Sequence, residues 1–236
     1  MQEETVDVME APASEVSHIP DHGEAMRIAE ALLFASAEPL GAGELAGRLP
    51  EGADVEKILQ DLAEFYSLRG VNLVRVAGKW AFRTASDLSF VLARDVVEQR
   101  KLSRAAMETL AIIAYHQPVT RAEIEEIRGV ATSKGTLDTL LETGWIRLRG
   151  RRKAPGRPVT YGTTSGFLEH FGLDAIEDLP GLEELKGAGF LEGRVPSDLS
   201  VPIPSDSDAL REDEDPLEQD DLFQPLEMDQ SEAGEE

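Results

Sequence analysis

Hydrophobic residues follow a helical period and then a strand period, and the sequence makes this change twice. From Glu24 onward, Ile28, Leu32, Leu33, Phe34 and Ala35 form an apolar stripe at helical spacing. Glu38-Pro39 ends it, because proline disfavours the α conformation in the residue before it. A short segment around Glu44 to Leu49 follows. Asp54 then stands in an N-cap position ahead of Val55, Ile58, Leu59, Leu62, Phe65 and Tyr66, a stripe that closes near Arg69-Gly70. Past Gly70 the period shortens: Val71, Leu73, Val74 and Val76, a turn at Gly78-Lys79, then Trp80, Phe82 and Thr84 predict a two-stranded hairpin. Asp87 is placed to cap one more helix through Leu88, Val91, Leu92 and Val96, and Gln99-Arg100-Lys101-Leu102 reads as a junction.

The same order returns after Ser103. Met107, Leu110, Ile113 and Ala114 make a helical stripe stopped at Gln117-Pro118, and Thr120 with Glu123 has capping-box spacing for a second helix. Ser133 precedes a third helix bearing Leu137, Leu140 and Leu141, which stops at Gly144. Trp145 to Leu148 and Val159 to Thr163 supply a second hairpin. A displacement of 79 residues lays Leu33, Pro39, Leu40, Glu44 and Leu45 over Ile112, Pro118, Val119, Glu123 and Ile124. The expected fold is therefore mainly α with small β-hairpin wings (α+β): tandem winged-helix domains at 24–99 and 100–180. A single α+β domain with chance similarity is the competing reading.

Charge divides the chain differently from its whole-chain value of -23. Residues 1–23 carry six acids and no Lys or Arg, and residues 191–236 carry sixteen acids against two Arg. The segment between them, with twenty-one basic and twenty-four acidic residues, is near neutral and holds almost all the aromatic and β-branched residues. An acidic leader at 1–23 and an acidic tail at 181–236 are expected to be largely disordered, since such segments bury too little apolar surface to offset chain entropy. Leu217, Leu222, Phe223, Leu226 and Met228 form an apolar island in that tail, able to dock on a partner as a short helix. The absence of cysteine excludes disulfides, thiolate metal sites and a cysteine nucleophile. With no secretory pattern and no apolar run long enough to span a bilayer, a cytoplasmic protein is expected.

Catalytic patterns are missing. His18 and His22 fall in the acidic leader, and His116 and His170 form no metal-ligand pair on one helix; His116, at a helix end, reads as a capping or surface residue. Ser133-Lys134-Gly135-Thr136 resembles a phosphate loop only superficially, because the upstream glycine spacing is absent. No nucleophile elbow occurs, and no carboxylate spacing singles out an acid–base pair. A non-enzymatic protein without a cofactor or metal is expected.

The second unit runs Leu102-Ser103-Arg104, Leu110 through Arg121 (LAIIAYHQPVTR) and Glu123 through Val130 (EIEEIRGV), then Gly156-Arg157-Pro158, Tyr161-Gly162-Thr163-Thr164, Phe167-Leu168, Phe171-Gly172-Leu173 and Asp178-Leu179-Pro180. This ordered series resembles the segregation and condensation protein B family. The first unit resembles it more loosely, through Glu30-Ala31-Leu32-Leu33-Phe34 and Glu38-Pro39-Leu40. The resemblance implies a nucleoid-associated tandem winged-helix homodimer that binds the kleisin subunit, segregation and condensation protein A. Through the kleisin it would join the structural-maintenance-of-chromosomes ATPase in chromosome condensation and segregation. The alternative is a winged-helix transcriptional regulator.

Candidate contact residues follow from both readings. For the kleisin they are Tyr115, Arg128, Arg157, Tyr161, Phe167 and Phe171, with Trp145 beside them, because aromatics and arginine anchor interfaces; a place in the hydrophobic core is the alternative for each aromatic. Arg147, Arg149, Arg151, Arg152 and Lys153 join Arg157 in concentrating positive charge on one hairpin, a surface for weak, non-specific and salt-dependent contact with DNA phosphates. The other readings of that hairpin are a solvated tip, or pairing with acids of the kleisin or of the chain's own tail. In the last case the tail would screen the wing from DNA.

Overall fold

A computed structural model describes residues 21–92, 102–188, 202, 204 and 209–218. The first unit opens with α1 (His22–Ala35), whose start is capped by the Asp21 carboxylate accepting from the Gly23 amide. His22, expected in an unstructured leader, is thus the first helical residue, and its Nε2 lies 2.7 Å from Asp61 Oδ2 on the third helix. After α2 (Ala42–Ala46) comes α3 (Val55–Tyr66), with Asp54 capping the Lys57 amide at 3.1 Å. Strands β1 (Val71–Val76) and β2 (Lys79–Thr84) pair antiparallel from Val71↔Thr84 to Val76↔Lys79. Their two-residue turn puts Ala77 at φ 52° and Gly78 at φ 74°, the backbone twist that suits a tight hairpin. Ala25, Ala29 and Leu33 of α1 pack with Leu45, Ile58, Leu59, Leu62 and Leu73 into one core.

Beyond the hairpin, a 3-10 turn (Ser86–Leu88) leads into α4 (Ser89–Leu92). Asp87 lies inside that turn instead of capping the helix. Val96 and the expected junction at 99–101 lie outside the described residues.

The second unit begins at α5 (Arg104–His116), capped by the Ser103 hydroxyl, which accepts from the Ala106 amide at 3.2 Å. It continues through β3 (Val119–Thr120), α6 (Arg121–Arg128), α7 (Lys134–Glu142), β4 (Ile146–Arg152), β5 (Val159–Thr163) and α8 (Ser165–Phe171). A short α9 (Leu182–Gly187) and the two-residue strand β6 (Glu214–Asp215) complete it. Ser133 occupies the N-cap position of α7, but its hydroxyl bonds the Thr136 hydroxyl at 2.8 Å and no backbone amide. A separate core gathers Leu110, Ile113, Ile124, Leu137, Leu140 and Ile146 with Tyr161, Phe167 and Ile176.

The repeat is visible in three dimensions. Glu44 accepts from the Gly41 amide at 2.7 Å, and Glu123, 79 positions on, accepts from the Thr120 amide at 2.6 Å. Leu40 bridges Trp80 of the first hairpin, as its counterpart Val119 bridges Tyr161 of the second. Helical periodicity cannot reveal the two-residue strand β3, since it exists only by pairing with β5. The second sheet consequently has the antiparallel order β3-β5-β4-β6. The turn of the first hairpin meets the second unit: the Ala77 amide donates to Leu173 O at 2.9 Å and the Gly78 amide to Asp174 Oδ1 at 2.8 Å. Arg75 Nε lies 3.4 Å from Asp174 Oδ2.

Candidate functional site

Charge concentrates on the second hairpin because β4 carries Arg147, Arg149, Arg151 and Arg152, and the turn adds Lys153 and Arg157. Alternation would put Arg147, Arg149 and Arg151 on one face. The pairing breaks this: Leu148 faces Tyr161 and Gly150 faces Thr160, so Arg149 is the extra residue of a β-bulge. It turns inward, leaving its side chain only 3% exposed.

The partner that makes this burial tolerable comes from the acidic tail. Glu214, with a side chain at 0% exposure, places Oε2 3.4 Å from Arg149 Nε and accepts from the Thr160 hydroxyl at 2.7 Å through Oε1. Around this centre, Arg152 pairs with Asp213 at 2.8 Å, Arg157 with Asp215 at 3.4 Å and Lys153 with Asp215 at 3.7 Å. Backbone contacts fix the register: β6 runs antiparallel to β4, and the Lys153 amide donates to Asp213 O at 2.8 Å. Gly150 permits the approach, since a Cβ there would stand 2.7 Å from Asp215 O. Of the alternatives for the wing, the described residues realise pairing with the chain's own tail. The tail is correspondingly not without structure at 209–218; a two-residue strand held by charge and shape has no periodicity to announce it.

Arg152 also joins the wing to the start of α6, contacting Glu123 Oε2 at 3.0 Å and Pro118 O at 2.9 Å. Burial alone would push the Glu123 carboxyl up, but the Thr120 amide, Arg152 and the Thr120 hydroxyl outweigh it and hold the group below its ordinary value of 4.5. A carboxyl whose folded value is depressed adds stability above its unfolded pKa and loses it as pH falls through the folded value. Gln117, 2% exposed, braces the same corner: its side-chain oxygen accepts from the Thr163 amide at 2.6 Å.

The kleisin candidates separate into core and surface. Tyr161 and Phe167 are each 3% exposed and belong to the core, so neither presents a side chain to a partner. Arg128 is likewise taken inward: its side chain is 7% exposed, held by Thr132 Oγ1 at 3.2 Å and Glu108 Oε2 at 3.3 Å. Their sequence pattern is indistinguishable from that of contact residues because large apolar groups and arginines serve both purposes. Phe171 remains on the surface, within an aromatic cluster containing Trp145, Phe167 and His170. Tyr115, half-buried, donates to Pro180 O at 2.7 Å and ties α5 to the segment before α9. Arg157 stays exposed on the wing. His116 is half-buried at the end of α5, where burial lowers its pKa.

Neither third helix has a cationic face. α3 carries Glu56, Asp61 and Glu64 against Lys57, and α7 carries Asp138 and Glu142 against Lys134, a poor match for major-groove phosphates. Among the described residues, no group of three or more His, Asp or Glu could hold a metal. No helix among them is long and apolar enough to cross a membrane.

Two sets of three helices, each followed by a hairpin, and a basic wing capped by acidic chain define a tandem winged-helix protein. The family model for "Segregation and condensation complex subunit ScpB" matches residues 27–182. Segregation and condensation protein B of Clostridium tetani (strain Massachusetts / E88) is 42% identical over 163 residues, covering 67% of this chain and 86% of the relative. Its counterpart in Desulforamulus reducens is 47% identical over 160 residues, covering 66% and 87%. The solved structure of ScpB from Mycobacterium tuberculosis is similar at 35% identity, covering 65% of this chain and 98% of that one, with a TM-score of 0.30. The chain belongs to the segregation and condensation protein B family, whose members are subunits of the segregation and condensation complex.

Proposed function

We propose that this chain is a non-catalytic, cytoplasmic and nucleoid-associated accessory subunit, folded as winged-helix domains at 24–99 and 100–180. It forms a homodimer and grips the kleisin, segregation and condensation protein A, thereby joining the structural-maintenance-of-chromosomes ATPase. The observation that carries this reading is the unequal distribution of apolar surface. The first unit fills its core yet leaves Phe34 at 82%, Phe65 at 54%, Leu68 at 99% and Phe90 at 68% exposure. Exposed aromatics at this density are characteristic of a face that another protein covers. Phe34 and Val71 line one shallow pocket with Phe82, and Phe82 stacks edge-to-face on Tyr66 beside Phe65, so Phe34, Val71 and Phe65 are linked through Phe82 and Tyr66. This face is assigned to the second copy of the chain.

The second unit offers Met107, Ile127, Val130 and Phe171 to solvent, each between 44% and 56% exposed, and this unit is assigned to the kleisin. Phe171→Asp, titrated calorimetrically with the kleisin from the same genome, is expected to bind at least about tenfold more weakly than wild type. Retained protection of the Ile113 and Leu140 amides will show that the fold is intact. Unchanged affinity would remove Phe171 from the interface.

A further inference from the structure

We propose that the acidic segment 209–218 is an intramolecular strand that masks a phosphate-binding edge of the second wing, so that this wing meets nucleic acid only after the segment leaves β4. The wing carries six cationic residues, Arg149 among them turned inward, and the described segment carries five carboxylates with one arginine. The match extends beyond charge. Glu214 fills a buried slot between Arg149 and Thr160, and Gly150 is the small residue that lets Asp215 approach. Arg211 Nη2 donates to Gln117 O at 3.1 Å, while the Lys153 ammonium donates to Glu212 O at 2.7 Å. A segment held in register by backbone bonds on a strand edge is a docked ligand, here supplied by the same chain.

Removing it would free Arg152, Lys153 and Arg157 of the wing from Asp213 and Asp215, leaving cations able to contact DNA phosphates. The Asp213 and Asp215 carboxylates occupy the positions that phosphates would take. Docking within one chain is favoured, because an intramolecular partner has an effective concentration on the order of millimolar. Salt alone does not open the mask: the exposed pairs at Lys153 and Arg157 are screened, while the buried Arg149–Glu214 contact and the backbone bonds are screened much less. A competitor with more phosphates, or a partner that binds the segment, opens it. The masking contact rests on β4 and the 209–218 segment, apart from the exposed apolar residues assigned to the kleisin, and survives that assignment's failure.

Two full-length variants test it from opposite sides. Gly150→Val blocks the approach of Asp215 without changing charge, and Asp213→Ala with Glu214→Ala removes the segment's grip without touching β4. Amide hydrogen exchange follows Lys153 and Glu214, with the β4–β5 amides as a control for folding, and fluorescence anisotropy follows random-sequence duplex DNA at low salt. Wild type is expected to protect Lys153 and Glu214 and bind DNA weakly; both variants lose that protection and bind about tenfold more tightly. Three outcomes would overturn the proposal: unprotected amides in wild type, protection that persists in both variants, or lost protection with unchanged DNA affinity. Capture of an acidic peptide spanning 207–220 by the variants, without any gain for DNA, would overturn it too, by making the edge a peptide site.

Discussion

Leu140→Ala is expected to lower the stability of the second unit by about 2–5 kcal/mol and leave the first unit within about 0.5 kcal/mol of wild type. Leu140 is at 0% exposure in a core that shares no residue with the core around Ile58, so the cavity it leaves is confined to one cluster. Among the described residues, the contacts from Ala77, Gly78 and Arg75 to Leu173 and Asp174 are polar and transmit little of that loss. The chain provides its own reporters, since its two tryptophans fall one in each unit: Trp80 on β2 and Trp145 just before β4. Urea titration of single-tryptophan variants will show the Trp145 transition shifted and the Trp80 transition in place. Equal shifts at both positions would mean that the two cores unfold as one.

Phe34→Glu is expected to weaken self-association by at least a hundredfold, about 3 kcal/mol, because it puts a charge where an interface must be dry. Phe34 is 82% exposed, so the monomer loses no core contact and its folding is preserved. Light scattering across a dilution series will show monomer for the variant at concentrations where wild type is dimeric. A variant that dimerises like wild type would move the interface elsewhere, and a monomeric wild type would end the dimer proposal.

The features legible in sequence are those governed by local rules. Asp54 and the Thr120–Glu123 pair could be recognised as caps because capping depends on neighbours three residues apart. Both hairpins were legible from their shortened period and turn glycines, although β4 extends to Arg152, past the expected end at Leu148, because β5 and β6 pair with it there. What the sequence hid is non-local. β3 and β6 are two residues each and exist only through their partners. Arg149 reads from sequence as one more cation of the hairpin surface, and only the bulge opposite Tyr161 and Thr160 reveals why it turns inward. Arg128, Tyr161 and Phe167 carried the right chemistry for contact residues, but burial decides their role, and burial depends on helices distant in sequence. The wing shows both limits: its charge was evident from composition, and the identity of its partner required the fold.

The central claim is that this protein works by gripping another protein, and it is tested most directly by mixing the purified chain with its genome's kleisin in the absence of DNA. Size exclusion with light scattering then gives the mass of the complex at low and high salt. The account predicts a salt-resistant complex containing two copies of this chain, because apolar contacts are not screened as surface charges are. No complex at either salt, together with binding to one preferred DNA sequence, would contradict it and make the protein a regulator built on the same fold.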